Sequence, residues 1–409
     1  MPNLPIYNGC TGCGACMQTC GKQAISMTED KHGFIIPSVD FCKCVECGLC
    51  EKRCHILNRP LHNMDNQKVF AVINHQDRDV SSSGGAFSMF ARYVLAEGGI
   101  VFGASYDPFP VLRHISITKI EDLTRLQGSK YFQSDTGETY KEAKQYLMAG
   151  RKVLYTGTPC QVAGLYSFLG NKTYDSLLIT LDLACHGVPS QRAFTTYLEK
   201  LKKTKYFDSP KARNICEFRF RKLDGWTIAP AVQLSETKRW HILEQEENVF
   251  MNSFFKGTLY RESCFTCQYA NCNRVGTYTI ADFWGIGSHG VPFHKNIAKG
   301  VSLVIDNYGR FSDFEKYFSN YCYIEERKLS EAKPNNHNLN APTVCPRDRD
   351  EALADFLSTE MTLLEYARKY KMLESPVEHF IRKTIKIIID KLQLYTLYKT
   401  ISYKLGKTS

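Results

Sequence analysis

The cysteines carry the first chemistry legible in this sequence. The run Cys10-x2-Cys13-x2-Cys16-x3-Cys20 returns 34 residues later as Cys44-x2-Cys47-x2-Cys50-x3-Cys54. Three thiols at two-residue gaps let a tight loop wrap one face of an iron–sulfur cube. The fourth opens the following turn and reaches the other cluster, as in two-cluster ferredoxins. That logic groups Cys10, Cys13, Cys16 and Cys54 around one 4Fe-4S cluster and Cys44, Cys47, Cys50 and Cys20 around a second. Gly21 and His55 stand where a proline usually follows the fourth cysteine, a change in turn stiffness rather than in ligands. Zinc sites use two separated pairs and not two runs of four. Cys42 is surplus and reads as a spectator thiol.

A second constellation is dispersed. Residues 152–156 read as a short strand, Gly157-Thr-Pro-Cys160-Gln161 as a tight turn, and 162–169 as a helix stopped by Gly170. Residues 177–184 form an apolar run that ends in Cys185-His186-Gly187. If both strands lie parallel in one sheet, Cys160 and Cys185 leave from the same carboxyl edge, where open α/β sheets bind ligands. Cys160 also starts a helix, a position that stabilises a thiolate. Cys264-x2-Cys267 would complete a set of four thiols, with Cys272 a rival for the fourth place. Cys160 or Cys185 alone reads more simply as a buried structural cysteine; the two together look like half of a ligand set. Residues 277–286 continue as a strand with Asp282 and Gly285 at its end. Upstream, Ser81-Ser-Ser-Gly-Gly85 opens a helix within a β-α-β unit formed by 68–74 and 100–104. Free N–H groups and the positive helix end there suit a phosphate; the other reading is that the serines only cap the helix.

Elements must position these residues. The chain has 409 residues, 43% apolar and 23% charged, enough for two or three domains with a true core. No apolar run approaches the ~18 residues of a membrane span, and the start lacks a basic segment followed by an apolar one, so a cytoplasmic location is expected. In a reducing compartment 17 cysteines point to metal ligation rather than disulfides. Nine of them crowd into the first 54 residues. The expected organisation is α+β: a dicluster ferredoxin-like module over 1–58, a linker from His55 to Gln67, an α/β body over 68–345, and a helical tail over 346–409. Residues 217–222 alternate as a strand that Asp224-Gly225 turns into a second one from Trp226, a β-hairpin inserted in the body. Cys216, Cys322 and Cys345 read as packing residues. In the tail, Ile381, Ile385, Ile388, Leu392, Tyr395 and Tyr398 mark one helix face, with seven Lys/Arg against Asp390 nearby. That face is expected to pack on the body; an anionic membrane surface or an acidic partner protein are the alternatives. Residues 200–222 hold nine Lys/Arg against Asp208 and Glu217, a solvated basic face or a receiver for an acidic electron donor. No nucleic-acid-binding motif accompanies them, so no nucleic-acid partner is expected.

Taken in order, several motifs carry a family resemblance: Gly157-Thr-Pro-Cys160-Gln, Cys185-His-Gly-Val-Pro-Ser190, Phe218-Arg-Phe-Arg-Lys-Leu-Asp-Gly-Trp226, Cys264-x2-Cys267 and Ala281-Asp-Phe-Trp-Gly285. Together they resemble the beta subunit of coenzyme F420 hydrogenase/dehydrogenase, in particular bacterial single-chain members with a fused dicluster ferredoxin. The resemblance covers about residues 1–345. It implies a flavoprotein that carries FAD and a cluster of its own in the body, three 4Fe-4S clusters in all. It assigns Cys160, Cys185, Cys264 and Cys267 to the body cluster, and Cys272 matches no motif position. It puts Ser83, Gly84 and Gly85 at the flavin phosphates and Ser129 and Lys130 beside the flavin, with Gly157, Thr158, Gln161 and Asp282 completing the site. His186 beside Cys185 reads as a hydrogen-bonding neighbour of a ligand rather than a proton donor. The implied activity is an oxidoreductase that takes electrons from a donor such as ferredoxin, through clusters and FAD, to an organic two-electron acceptor. Its rivals are a non-catalytic relay subunit of a larger complex and an iron–sulfur protein without flavin, with surface-polysaccharide biosynthesis a family-level setting.

Overall fold

The computed structural model describes residues 2–388 apart from 7–8, 61–65, 171–173, 209–213, 222–225, 290, 376, 378–380, 382–383 and 386–387. Between the two cysteine runs, strands β1 (Ile25–Glu29) and β2 (Ile35–Val39) pair antiparallel. Each run closes on a short helix, Ala15–Thr19 and Leu49–Lys52, and each helix follows a left-handed glycine, Gly14 (φ 77°) and Gly48 (φ 70°). Glycine takes that conformation without a Cβ penalty, so the sequence repeat is also a backbone repeat.

Eleven further strands are described: β3 (Lys68–Asn74), β4 (Ile100–Tyr106), β5 (Leu112–Ile117), β6 (Val153–Gly157), β7 (Leu178–Leu183), β8 (Ile215–Arg219), β9 (Ala231–Leu234), β10 (Trp240–Ile242), β11 (Tyr278–Asp282), β12 (Ser302–Asp306) and β13 (Cys322–Arg327). Eight of them form one mixed sheet in the order β13-β3-β12-β11-β7-β6-β4-β5. β4, β6, β7 and β11 run parallel, and β3 points the same way because antiparallel β12 separates it from β11. The carboxyl ends of β3, β6, β7 and β11 therefore share one edge. Strand β6 is buried throughout, as a central parallel strand covered on both faces must be. Met89, Phe90 and Val94 of helix Ala86–Ala96 cover one face with Val101 and Leu154; Tyr140, Leu165 and Leu169 cover the other with Phe102 and Tyr155.

The unit β6–helix Pro159–Leu169–β7 is adjacent and parallel, as expected. The β3–helix–β4 unit differs: its strands run the same way, but β12, β11, β7 and β6 lie between them. A three-stranded sheet, β10-β9-β8, packs with helices Gln191–Leu201, Val249–Lys256, Arg349–Leu357 and Leu363–Lys369 around Phe194, Phe218, Phe220 and Phe250. The first helices of the predicted tail are thus built into the body's core. The hairpin also starts its return later than expected, since Arg219 pairs with Ala231 and not with residues near Trp226. Asp224-Gly225 lies outside the described residues.

Beyond the core, Ile381, Ile385 and Ile388 are exposed. The rest of that predicted face, Leu392, Tyr395 and Tyr398, lies outside the described residues, as do its lysines. Among the described residues no helix is long and apolar enough to cross a membrane.

Candidate functional site

Cys10, Cys13, Cys16 and Cys54 line one small cavity with Leu4, Met27 and Pro37. Burial pushes the Cys16 thiol up to about 12, with repulsion from Cys10 and Cys54 adding to it, and burial also raises Cys10 and Cys13. Thiols that resist ionising alone release their protons on binding a cationic metal group, so this donor set fits a cluster. Backbone N–H groups already aim at sulfur: Gly12 donates to Cys10 Sγ at 3.4 Å and Ala24 to Cys20 Sγ at 3.3 Å. Cys20 and Cys50 pack with Cys16, Cys54, Leu4 and Ile25, while Cys47 is exposed on the outside of the module. Cys42 is exposed as well.

The inner side of the module is seated on the body. Gly164 approaches so closely that a Cβ there would lie 3.0 Å from Cys13 Sγ. Thr136 Oγ1 donates to Cys13 O at 2.9 Å, and Gln133 Nε2 to Thr11 O at 2.9 Å. His55 corrects the expected linker. It is buried, with Nδ1 2.8 Å from Tyr269 Oη and Nε2 3.0 Å from Thr11 Oγ1, so the chain leaves the module only after it.

Near the sheet edge Cys160, Cys185, Cys264 and Cys267 are close enough for their charges to act on one another, although among the described residues no three His, Cys, Asp or Glu side chains stand at metal-binding spacing. Burial raises the Cys185 thiol, reinforced by the charges of Cys264, Cys160 and Cys267; burial takes Cys264 to about 12 and Cys160 to about 11. The helix start was expected to ease ionisation of Cys160, but desolvation outweighs the dipole. Cys272 is held apart, its Sγ donating to Leu339 O at 3.1 Å. Cys322 is buried and Cys216 Sγ donates to Gln233 O, whereas Cys345 is exposed instead of packed. The loop bearing Cys264 and Cys267 is tied down by Arg274, whose Nη2 lies 2.9 Å from Asp182 Oδ1 with both side chains buried. Asp182 Oδ2 also accepts from Val275 N at 3.0 Å and Gly276 N at 2.8 Å. Sequence reasoning missed this clamp; a lone Asp in the apolar run 177–184 was its only signal.

Beside Cys185 a cavity of about 310 Å³ opens at the same edge. Ser83, Gly85, Ser129, Lys130, Gly157, Thr158, Gln161 and Asp282 all line it. Gly84 does not: a Cβ there would meet Val72 O at 2.1 Å and Ser302 N at 2.4 Å, so this glycine lets the loop lie on the sheet. The serines do not cap helix Ala86–Ala96, which starts from Gly85. Ser81 Oγ donates to Asp77 O, Ser83 Oγ to Val301 O, and Ser82 Oγ accepts from Ser129 N at 2.9 Å, stitching two cavity loops together.

Several lining residues already have partners. Lys130 Nζ donates to Gln127 O at 2.9 Å and Leu126 O at 3.2 Å, and burial pushes its ammonium down to about 7. Gln161 Oε1 accepts from Thr158 N at 3.0 Å and its Nε2 donates to Ser134 O at 3.0 Å, which shapes the helix start. Asp282 accepts from Arg221 Nη1 and from Trp226 Nε1, each at 2.6 Å, and Trp226 stacks on Trp284 with ring centroids 4.5 Å apart. That pull on Trp226 explains the late return of the hairpin. It also removes Arg221 from the predicted basic face; Lys200 is buried too, donating to Phe356 O at 2.8 Å. His186 lines the cavity, with burial lowering its pKa. Another histidine was missed: His114, whose ring lies 2.8 Å from both Thr156 O and Ser134 Oγ and is pushed down to about 4 by burial.

Residues 150–331 match the family model for the C terminus of the beta subunit in coenzyme F420 hydrogenase/dehydrogenase, and residues 9–56 match that of the 4Fe-4S dicluster domain. The chain is related to this beta-subunit family through that region, with a dicluster domain in front. It is thus an iron–sulfur electron-transfer protein of oxidoreductase kinship. Among solved structures, a chain of the F420-reducing [NiFe] hydrogenase complex from Methanosarcina barkeri is similar at 14% identity and TM-score 0.44, over 76% of this chain and 94% of that one. Among curated proteins none matches. The family's C-terminal region takes in Cys160, Cys185, Cys264, Cys267 and Asp282, whereas Ser83, Lys130 and His114 fall between the two matched regions.

Proposed function

We propose that the chain is an iron–sulfur flavoprotein oxidoreductase. Cys10, Cys13, Cys16 and Cys54 would hold an inner ferredoxin cluster, and Cys20, Cys44, Cys47 and Cys50 an outer one. Cys160, Cys185, Cys264 and Cys267 would hold a third, and FAD would occupy the cavity. The functional units are the module 1–58 and a body from 68 that takes the first tail helices, Arg349–Leu357 and Leu363–Lys369, into its core. One observation supports this reading: helix Pro159–Leu169, which carries Cys160, packs on the inner ferredoxin set, where a Cβ on Gly164 would lie 3.0 Å from Cys13 Sγ. Cys160 lies near Cys13, and Cys185 lines the cavity.

When bound, the clusters supply one-electron steps and the flavin a two-electron one. The chain's own residues supply the setting. The Gly12 and Ala24 amides offer hydrogen bonds to sulfur. The start of helix Ala86–Ala96 and Lys130 suit an anionic phosphate at one end of the cavity. Phe254, Ile280 and Trp284 add apolar surface to its wall. A redox donor such as ferredoxin would meet the outer set, beside exposed Phe41, Val45 and Leu49, and an organic acceptor would enter the cavity. The many free thiols suit the reducing cytoplasm.

Anaerobic purification with iron and flavin analysis tests this. About twelve iron atoms and one FAD per chain are expected. About eight iron atoms would remove the body cluster, and protein that binds no flavin would leave a relay subunit as the reading.

A further inference from the structure

Arg261 joins the two inner cysteine sets, and no motif pointed to it. Its guanidinium is buried, and its described donors all go to uncharged oxygens. Nη1 donates to Cys10 O at 3.2 Å and Nη2 to Ile35 O at 2.9 Å, both in the module; Nη2 and Nε donate to Gln133 Oε1 of the body at 2.9 and 3.2 Å. The same group lies 4.9 Å from the Phe34 ring centroid. On its own segment, Arg261 N donates to Val188 O, three residues past Cys185, and Arg261 O accepts from Cys264 N.

A buried cation without a carboxylate is costly unless other negative charge faces it. Around Arg261 stand residues of both sets: Nη1 donates to Cys10 O on the module side, and the residue's own carbonyl accepts from Cys264 N on the body side. The internal repeat supplies a control. Gly12 and Glu46 occupy equivalent places in the two cysteine runs and share a positive φ, 66° and 51°. The outer run carries a side chain there. In the inner run a Cβ would meet Ile35 O at 2.5 Å and Arg261 Nη2 at 2.8 Å, so the place is filled from the body.

We propose that Arg261 is a positioning residue that seats the Cys10–Cys16 loop on the body and acts as the shared cation between the Cys10 and Cys160/Cys264 sets, so that it sets the reduction equilibria on both sides. This rests on the cluster assignments above. A fixed cation in a low-dielectric interior favours the more negative, reduced form of any redox group beside it. Its forked donors, bridging three acceptors in two parts of the fold, are what lysine cannot reproduce.

The test uses the full chain, anaerobically reconstituted, as wild type, Arg261→Met and Arg261→Lys. Iron content, a reductive titration followed by electron paramagnetic resonance, and amide exchange of residues 10–16 are measured for each. Arg261→Met should make the two inner clusters at least tenfold harder to reduce, about 59 mV for a one-electron couple, while the outer one is unmoved. Arg261→Lys should leave the titration near wild type but speed exchange of residues 10–16 at least tenfold. Full iron with unchanged titration and exchange in Arg261→Met would overturn the proposal. Should Arg261→Met fail to load iron, unchanged exchange in Arg261→Lys overturns the seating role. Wild type holding only about eight iron atoms would sink the body-cluster assignment instead, and exchange of residues 10–16 would still decide the seating.

Discussion

Asp182 offers the sharpest test of how the body's cysteines are brought together. Its carboxylate is wholly buried and accepts four hydrogen bonds: Arg274 Nε at 3.2 Å, Arg274 Nη2 at 2.9 Å, Val275 N at 3.0 Å and Gly276 N at 2.8 Å. Asp182→Ala would leave the Arg274 charge buried and unpaired, together with two backbone N–H groups. Breaking a buried ion pair from one side costs about 3–5 kcal/mol. The orphaned amides belong to the same network, so their cost does not simply add. The expected loss is therefore about 4 kcal/mol, close to a thousandfold in the unfolding equilibrium. Asp182→Asn keeps the size and one accepting oxygen and should lose about half as much. Urea unfolding reads the loss, and iron analysis of the same samples reads its consequence. Because Arg274 also donates to Tyr269 O and Leu183 O, its release should loosen the loop from Cys264 to Gly276. About a third of the iron should then go while the ferredoxin module keeps its own. An Asp182→Ala protein that loses under ~1 kcal/mol and keeps all its iron would refute this reasoning.

Cys160→Ser, Cys185→Ser, Cys264→Ser and Cys267→Ser should each cost about four iron atoms per chain, whereas Cys272→Ser should cost none; loss of iron from the Cys272 variant alone would reverse the assignment. Lys130→Glu should weaken FAD binding at least tenfold in titrations of flavin-free protein, with iron unchanged, and equal affinity would contradict the placement of the phosphates. Gly84→Ala should lower stability by about 1–3 kcal/mol through its clash with Val72 O, a loss that thermal unfolding of flavin-free protein would detect. His114 is held near 4 against 6.5 when unfolded, so the unfolded chain takes up the extra proton between these values. The stability due to the neutral ring is intact above about 6.5 and is lost as pH falls toward 4. His114→Gln should flatten that acid limb of the unfolding midpoint, and an unchanged limb would show that another group controls it.

Local spacing alone determined much of this protein. Three cysteines at two-residue gaps constrain one loop, and the glycines ahead of both short helices turn the repeat into a repeated backbone. The β6–helix–β7 unit was legible for the same reason: an apolar strand, a Thr-Pro turn and a glycine stop act over neighbouring residues. Shared strand direction then put Cys160 and Cys185 on one edge. The tertiary structure decided everything that depended on partners far along the chain. Four strands entered between β3 and β4, Trp226 left the hairpin for Asp282, and His55 left the linker for Tyr269. Cys272 turned to Leu339, while Lys200 and Arg221 went inside. Arg261 reaches Cys10 across 251 positions and Arg274 reaches Asp182 across 92. Period, turn chemistry and ligand spacing are set by residues within a few places of one another. Which buried charge finds which acceptor depends on how whole elements fill space, and no short stretch of sequence encodes that.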